Sequence, residues 1–271
     1  MKTPFVISPS PALLYLTPSF KKALHLITST LDNRQGISCI IGDVGMGKSS
    51  LLRLLHAEYL SRDESVSILI PVTNFTRPFG LLKRICEELG ISPMRSGLDY
   101  QRKLEELLLE YNKEGKYVAV FIDEAENLDT YMLDLVRTLL NFEKSDTGKM
   151  IQFVLAGSIE LHDRLRRKRN RAIDSRILYS NFLEKFSLEE SMEMIAFRCD
   201  RLDVPNPFSR SGLEMIHKLS GGVPRRLLAV ASAAYDMRML AAADKLDGDF
   251  VEMAYRSARE KPDHALVAAN G

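Results

Sequence analysis

Cysteine is scarce in this chain, and its three occurrences, Cys39, Cys86 and Cys199, are scattered, odd in number and set in apolar or helical surroundings. That pattern excludes a disulfide framework and predicts the reduced thiols of a cytoplasmic protein. Histidine is equally thin. His25, His56, His162, His217 and His264 are dispersed, so each reads as a surface or packing residue and no histidine-based metal centre is expected. No run approaches the roughly 18 apolar residues of a membrane helix, and the opening Met1-Lys2-Thr3-Pro4-Phe5 lacks the apolar stretch of an export signal. A soluble, unexported chain with no integral membrane segment is expected. The net charge is only +1. A whole-molecule field therefore cannot drive binding to nucleic acid or membrane, and any such role must come from a local patch. Internal repeats and low-complexity segments are also missing.

What the chain does have is 271 residues at 45% hydrophobic and 27% charged content, enough for one large domain or two smaller ones with real cores. Within it, Gly42 to Ser49 read Gly-Asp-Val-Gly-Met-Gly-Lys-Ser, a complete G-x-x-x-x-G-K-[ST] phosphate-binding loop. The apolar run Ile37 to Ile41 precedes it and Ser50 to Leu55 continues in helical pattern, so strand, loop and helix are all present. A chance glycine-rich turn would not carry both flanks. Gly42, Gly45 and Gly47 let the backbone curl so that successive N–H groups face phosphate oxygens. Lys48 is expected to reach the β and γ phosphates of ATP and Ser49 to offer its hydroxyl to Mg²⁺, with the helix presenting its positive end to the anion. The expected nucleotide contacts are Gly42, Asp43, Val44, Gly45, Met46, Gly47, Lys48, Ser49 and Ser50.

Around this loop the pattern alternates. Thr17 caps a helix that opens at Pro18 and runs to about Asp32; strands fit 65–72, 117–122, 151–156 and a fifth within 176–186. Helices fit 48–60, 78–89, 98–112 and 130–142 between them. Continuous apolar strands alternating with helices predict an α/β fold, a doubly wound parallel five-stranded sheet. After Phe186, Ser187-Leu188-Glu189-Glu190 is a capping box and helical periodicity takes over. The expected organisation is an N-terminal arm with the α/β nucleotide-binding domain over 1–186, a helical lid subdomain over 187–262 and a tail over 263–271.

The strand 117–122 ends in Asp123-Glu124. Alone this is a weak signal, but downstream of a phosphate loop it reads as the second half of an ATPase site. Asp123 is positioned for Mg²⁺ and Glu124 for polarising the attacking water. Glu126 reads as a surface carboxylate or a partner behind the site.

Gly-Asp-Val-Gly-Met-Gly-Lys-Ser-Ser, Phe-Ile-Asp-Glu-Ala-Glu, Val-Leu-Ala-Gly-Ser-Ile-Glu-Leu and Gly-Gly-Val-Pro-Arg-Arg together resemble the Walker A, Walker B, sensor 1 and sensor 2 regions of AAA+ ATPases, over nearly the whole chain. The pattern is most similar to the ExeA-type secretion ATPases, the MuB/TniB-type transposition ATPases and the origin-recognition group. The resemblance implies that Arg225 is a sensor 2 arginine, reaching from the lid to the γ-phosphate, and that Arg176 is an arginine finger offered to a neighbouring subunit's ATP. It implies Ser158 at the sensor 1 position, where the ExeA-type pattern has glutamine; the shorter hydroxyl predicts slow hydrolysis. Phe5 and Tyr15 read either as an adenine cover or as packing of the arm. ExeA-type proteins continue into a membrane helix and a cell-wall-binding region that this chain does not have, which weighs against a secretion role.

Arg164, Arg166, Arg167, Lys168, Arg169, Arg171 and Arg176 lie against only Asp163 and Asp174, a concentration that suits either a DNA backbone or a subunit contact. The expected function is an AAA+ ATPase that hydrolyses Mg·ATP between subunits, assembles with itself into a ring or filament and regulates a protein partner. One alternative is an ATP-dependent DNA-binding regulator that polymerises on DNA, and another is a protein-binding switch in a secretion-type assembly without DNA.

Overall fold

The computed structural model describes residues 3–7, 11–71, 74–241 and 245–259; the expected tail over 263–271 lies outside the described residues. The chain forms two compact units, a sheet unit of Pro9–Glu184 and a helical unit that joins Met1–Ser8 to Lys185–Gly271.

In the sheet unit the parallel strands are β1 (Ile37–Ile41), β2 (Ser65–Ile70), β3 (Tyr117–Ile122), β6 (Ile151–Gly157) and β7 (Ile177–Phe182), in the order β2-β3-β6-β1-β7. A two-residue hairpin, β4 (Glu143–Lys144) with β5 (Gly148–Lys149), precedes β6. The helices are α1 (Pro18–Asp32), α2 (Lys48–Leu60), α3 (Pro78–Glu88), α4 (Gly97–Lys113), α5 (Thr130–Leu139), α6 (Ile159–Leu165) and α7 (Arg171–Asp174). The central strands β1, β3 and β6 are buried at every residue, whereas the edge strands β2 and β7 are not. Burial on both faces explains why the central strands read as continuous apolar runs. Helix α5 shows how the layers lock: Met132, Leu133, Val136 and Leu139 recur at helical spacing and all are buried, each contributing about 1.5–3 kcal/mol of apolar burial. Thr17 caps α1 through its hydroxyl, which accepts the Phe20 N–H at 3.4 Å, with Pro18 at the first helical position.

Gln152 is a polar residue wholly buried in β6. Its carbonyl accepts the Gly36 N–H at 3.2 Å and its amide donates to Leu31 O at 2.7 Å. These bonds hold the turn that feeds β1, so the phosphate loop's strand is anchored from below.

The helical unit contains α8 (Leu188–Arg201), α9 (Arg210–Ser220), α10 (Pro224–Ala241) and α11 (Gly248–Ser257). The capping box is formed in both directions: Ser187 Oγ accepts the Glu190 N–H at 3.1 Å, and Glu190 Oε2 accepts the Ser187 N–H at 2.8 Å. The N-terminal arm is part of this unit. Phe5 is fully buried, with ring centroids 5.6 Å from Phe208 and 5.4 Å from Tyr235. Buried Arg198 donates from Nη1 to Pro4 O at 3.2 Å and Val6 O at 3.0 Å, a clasp that binds the arm's backbone by satisfying its carbonyls.

Candidate nucleotide-binding site

The elements expected to carry the chemistry follow β1, β3 and β6, three neighbouring strands, and all lie at the sheet's carboxyl end. Ile41 pairs with Gly157 and Ile122 with Leu155, so the ends are nearly flush. The Gly42 N–H donates to Gly157 O at 3.2 Å, tying the start of the phosphate loop to the end of β6. Crevices at the carboxyl ends of parallel strands are where open α/β sheets bind ligands.

The loop's backbone adopts the geometry its glycines permit. Gly45 and Gly47 have φ of 85° and 92°, a region costly for residues with a Cβ. At Gly47 a Cβ would also meet Phe20 Cζ at 3.0 Å, so α1 buttresses the loop from behind. Gly47 is the N-cap of α2 and no side chain caps that end, which leaves the helix's first N–H groups directed at the loop's concavity. The Lys48 ammonium donates to Gly42 O at 2.8 Å and Asp43 O at 3.0 Å, folding back over the loop. Met46 is buried, Ser49 and Ser50 are half-buried, and Asp43 and Val44 are exposed, so the last two contribute backbone to the loop.

Asp123 is 6% exposed and its N–H donates to Ile70 O at 2.9 Å, fixing the acid at the β3 terminus. Its Oδ1 accepts the Glu124 N–H at 3.0 Å. Glu124 itself is exposed and takes a left-handed backbone, φ 51° and ψ 37°. Such a conformation at a non-glycine residue costs on the order of 1 kcal/mol and occurs preferentially at functional sites. Glu126 is the residue whose part was left open by the sequence: its Oε2 accepts the Ser158 N–H at 3.2 Å. A Cβ at Gly157 would stand 2.9 Å from that same oxygen and 2.6 Å from Leu161 Cδ2, so glycine is what lets Glu126 bridge the ends of β3 and β6. With its amide engaged, Ser158 keeps its hydroxyl, which is buried and faces the Glu160 carboxylate, whose pKa it helps to lower.

The remaining candidates lie elsewhere. Arg176 immediately precedes β7 and lines a small recess with Gln35, Gly36 and Lys149 at the sheet's amino end. Arg225 is exposed in the first turn of α10, in the helical unit. Phe5 is committed to the helical unit's core, and packing accounts for it. The basic segment is not one continuous helix: it breaks into α6, a 3-10 turn at Lys168–Asn170 and α7. Arg164 is half-buried and its Nη1 donates to Leu128 O at 2.6 Å, so it is held against the protein while keeping its charge. Arg166, Arg167, Lys168, Arg169 and Arg171 are exposed. All three cysteines are free and buried, and burial pushes the Cys39 and Cys86 thiols up to about 12. No group of three or more potential metal-ligating side chains occurs among the described residues.

Residues 31–165 match the family model described as an AAA domain. The chain belongs to the AAA+ family. This AAA+ chain is 32% identical over 234 residues to general secretion pathway protein A of Aeromonas hydrophila, an alignment spanning 85% of the chain but only 42% of that relative. Its fold is similar to Cdc6p of Pyrobaculum aerophilum, with a TM-score of 0.70 at 16% identity over 98% of the chain and 73% of that structure. It is also similar to the ORC2 protein of Aeropyrum pernix solved as ADPNP-ADP complexes, with a TM-score of 0.67 at 19% identity over 96% and 75%. The RuvB Holliday junction branch migration motor of Thermotoga maritima follows at 0.60 and 19% identity over 91% and 73%. The parallel five-stranded sheet and helical C-terminal region are those of an AAA+ P-loop NTPase. That fold implies ATP, usually with Mg²⁺. No helix among the described residues is long and apolar enough to cross a membrane.

Proposed function

We propose that this AAA+ chain binds and hydrolyses Mg·ATP at the interface between copies of itself, in a ring or filament, and uses nucleotide state to control a partner. The supporting observation is the polarity of the sheet. Lys48, Asp123 and Ser158 follow the carboxyl ends of the strands, while Arg176 stands before the amino end of β7. Strands of six residues separate the two ends by about 20 Å, so Arg176 is out of reach of its own chain's loop and suited to a neighbour's.

The chain's own residues divide the work. Backbone N–H groups of the loop and the Lys48 ammonium hold the phosphates; the Ser49 hydroxyl and the Asp123 carboxylate hold the cation. When bound, Mg²⁺ supplies neutralisation of charge on the β and γ oxygens. Glu124 accepts a proton from the attacking water, and the Ser158 hydroxyl orients it. Arg225 reads the γ-phosphate from the helical unit, and Arg176 stabilises developing charge from the neighbouring subunit. The test mixes two inactive variants. Arg176→Ala and Lys48→Ala chains each hydrolyse little ATP alone, but together they form interfaces that pair an intact loop with an intact arginine and recover turnover. Recovery that fails, or full activity of Arg176→Ala alone, refutes the proposal.

A second reading has ATP binding drive polymerisation on DNA. It is supported by the exposed run Arg166, Arg167, Lys168, Arg169 and Arg171, which suits salt-dependent contact with phosphates. Co-sedimentation with DNA in the presence of a non-hydrolysable ATP analogue, lost on charge reversal at Arg166, Arg167 and Arg169, supports it. Absence of co-sedimentation favours a protein-binding switch, the role in keeping with the secretion-pathway relative's name.

A further inference from the structure

Outside the nucleotide site, exposed apolar bulk and unpaired positive charge coincide at the amino ends of α3 and α4. Phe79 is 42% exposed and Leu98 57%. The start of α4 lies against Phe79: a Cβ at Gly97, the residue before Leu98, would stand 3.6 Å from Phe79 Cδ2, and the Phe79 ring lies edge-on to Tyr100 at 5.8 Å. Tyr100 is fully buried, so Phe79 is held from below while its outer face meets solvent. Arg77 is the residue before α3, Arg95 lies three positions before Leu98, and Arg102 lies one helical turn after it. All three arginines are exposed, and none makes a side-chain hydrogen bond or ion pair among the described residues. Elsewhere on α3 the basic residues are matched, Lys83 with Glu87 and Arg84 with Glu88. The first turn of α3 carries no acid; that of α4 carries Asp99, whose Oδ2 accepts the Ser96 hydroxyl at 2.7 Å as part of the helix cap. Arg77 gives α3 no side-chain cap, so the positive end of that helix adds to the field.

We infer that this surface docks an acidic, apolar peptide segment of a partner protein, with Phe79 and Leu98 taking the apolar side chains and Arg77, Arg95 and Arg102 the carboxylates. Exposed apolar patches rimmed by charge mark protein interaction sites, and arginine with aromatic residues is the enriched composition at interface centres. A nucleic-acid strand would use the arginines but leave Leu98 without a role. The inference deepens the partner-regulating function proposed above. Its test is a binding measurement that does not depend on turnover, so failure of docking and failure of the ATPase reading are seen separately.

The probe is an array of short peptides in which glutamate and leucine content vary independently, with an oligothymidine strand as the nucleic-acid arm. The full chain should bind best where both contents are high. Binding should weaken about tenfold or more in Arg95→Glu/Arg102→Glu and in Phe79→Ala/Leu98→Ala, fall with added salt in the wild type, and persist in Lys48→Ala. Charge reversal at Arg166 and Arg167 serves as the control for non-specific electrostatics and should leave it unchanged. ATP turnover of the docking variants should match the wild type, which certifies their folding. Binding that ignores leucine content, survives both docking variants, or goes to oligothymidine in place of the peptides overturns the inference.

Discussion

Gly221 and Gly222 open the Gly-Gly-Val-Pro-Arg-Arg segment that leads into α10, and they differ in one measurable respect. Both have left-handed backbones, φ of 61° and 73°, so alanine at either costs about 1 kcal/mol of strain. A Cβ at Gly221 meets nothing within 4 Å, whereas at Gly222 it would stand 2.3 Å from Phe186 O. That oxygen belongs to backbone, and backbone does not swing aside as a side-chain tip does. Overpacking of this kind costs about 1–3 kcal/mol. The shift also disturbs the bond from the Phe186 N–H to Gly222 O, 2.9 Å long, worth about 1 kcal/mol. Gly222→Ala should therefore destabilise the helical unit by about 3–5 kcal/mol and Gly221→Ala by about 1 kcal/mol. Because two units need not unfold together, the assay is urea-dependent amide hydrogen exchange in α9 and α10, which reports the helical unit directly. Equal losses in the two variants would refute the close approach between Gly222 and Phe186.

Lys48→Ala should abolish ATP binding by fluorescence titration, while Glu124→Gln should keep nucleotide and lose roughly 10²- to 10⁴-fold in turnover; normal turnover in the latter would move the base elsewhere. Ser158→Ala removes a buried hydroxyl whose neighbour is the solvent-exposed Glu160 carboxylate. Thermal melts should shift little, within about 0.5 kcal/mol, while the hydrolysis rate drops, and a stability loss without a rate effect would make the hydroxyl structural. His56 donates or accepts at Ser67 Oγ, 2.8 Å away, and burial, followed by the charge of Arg53, lowers its pKa below 6.5. Below 6.5 the unfolded chain then binds the proton more readily than the folded one, so stability should fall as pH drops through 6.5 towards the folded value. His56→Gln should flatten that part of a pH-dependent urea titration; an unchanged slope would assign it to other groups.

The parts of the fold legible in the sequence are those whose signal is local. β1, β3 and β6 are central strands, so burial on both faces writes an uninterrupted apolar run, and the phosphate loop must be spelled in consecutive residues because successive amides build it. β7 was harder to delimit. Only Asn181 of its six residues is buried, so the expected 176–186 strand has no apolar run to define it, and it ends at Phe182, after which the Leu183 N–H closes onto Ile41 O at 2.8 Å. The β4–β5 hairpin has two residues per strand, too few for any period to register. The basic segment has no apolar period to define its elements, and the Lys168–Asn170 turn divides it, with Asn170 Nδ2 donating back to Arg164 O at 2.7 Å.

What the sequence withheld at the site is long-range in the same sense. Glu126 and Ser158 are far apart in the chain and become partners only because β3 and β6 are neighbours with flush ends. The geometry changes how Ser158 is understood: its amide already serves Glu126, so any role towards water must fall to the hydroxyl alone. Phe5 meets Phe208 and Tyr235 across most of the chain's length, a contact no window of sequence contains, and it makes the arm part of the helical unit. The same logic applies to Arg176. Its residue type and position before a strand are visible in one dimension, but its separation from the phosphate loop follows only once every strand is known to run parallel. From that parallelism it follows that Arg176 and the phosphate loop lie at opposite ends of the sheet, the separation that the proposed pairing between copies of the chain requires.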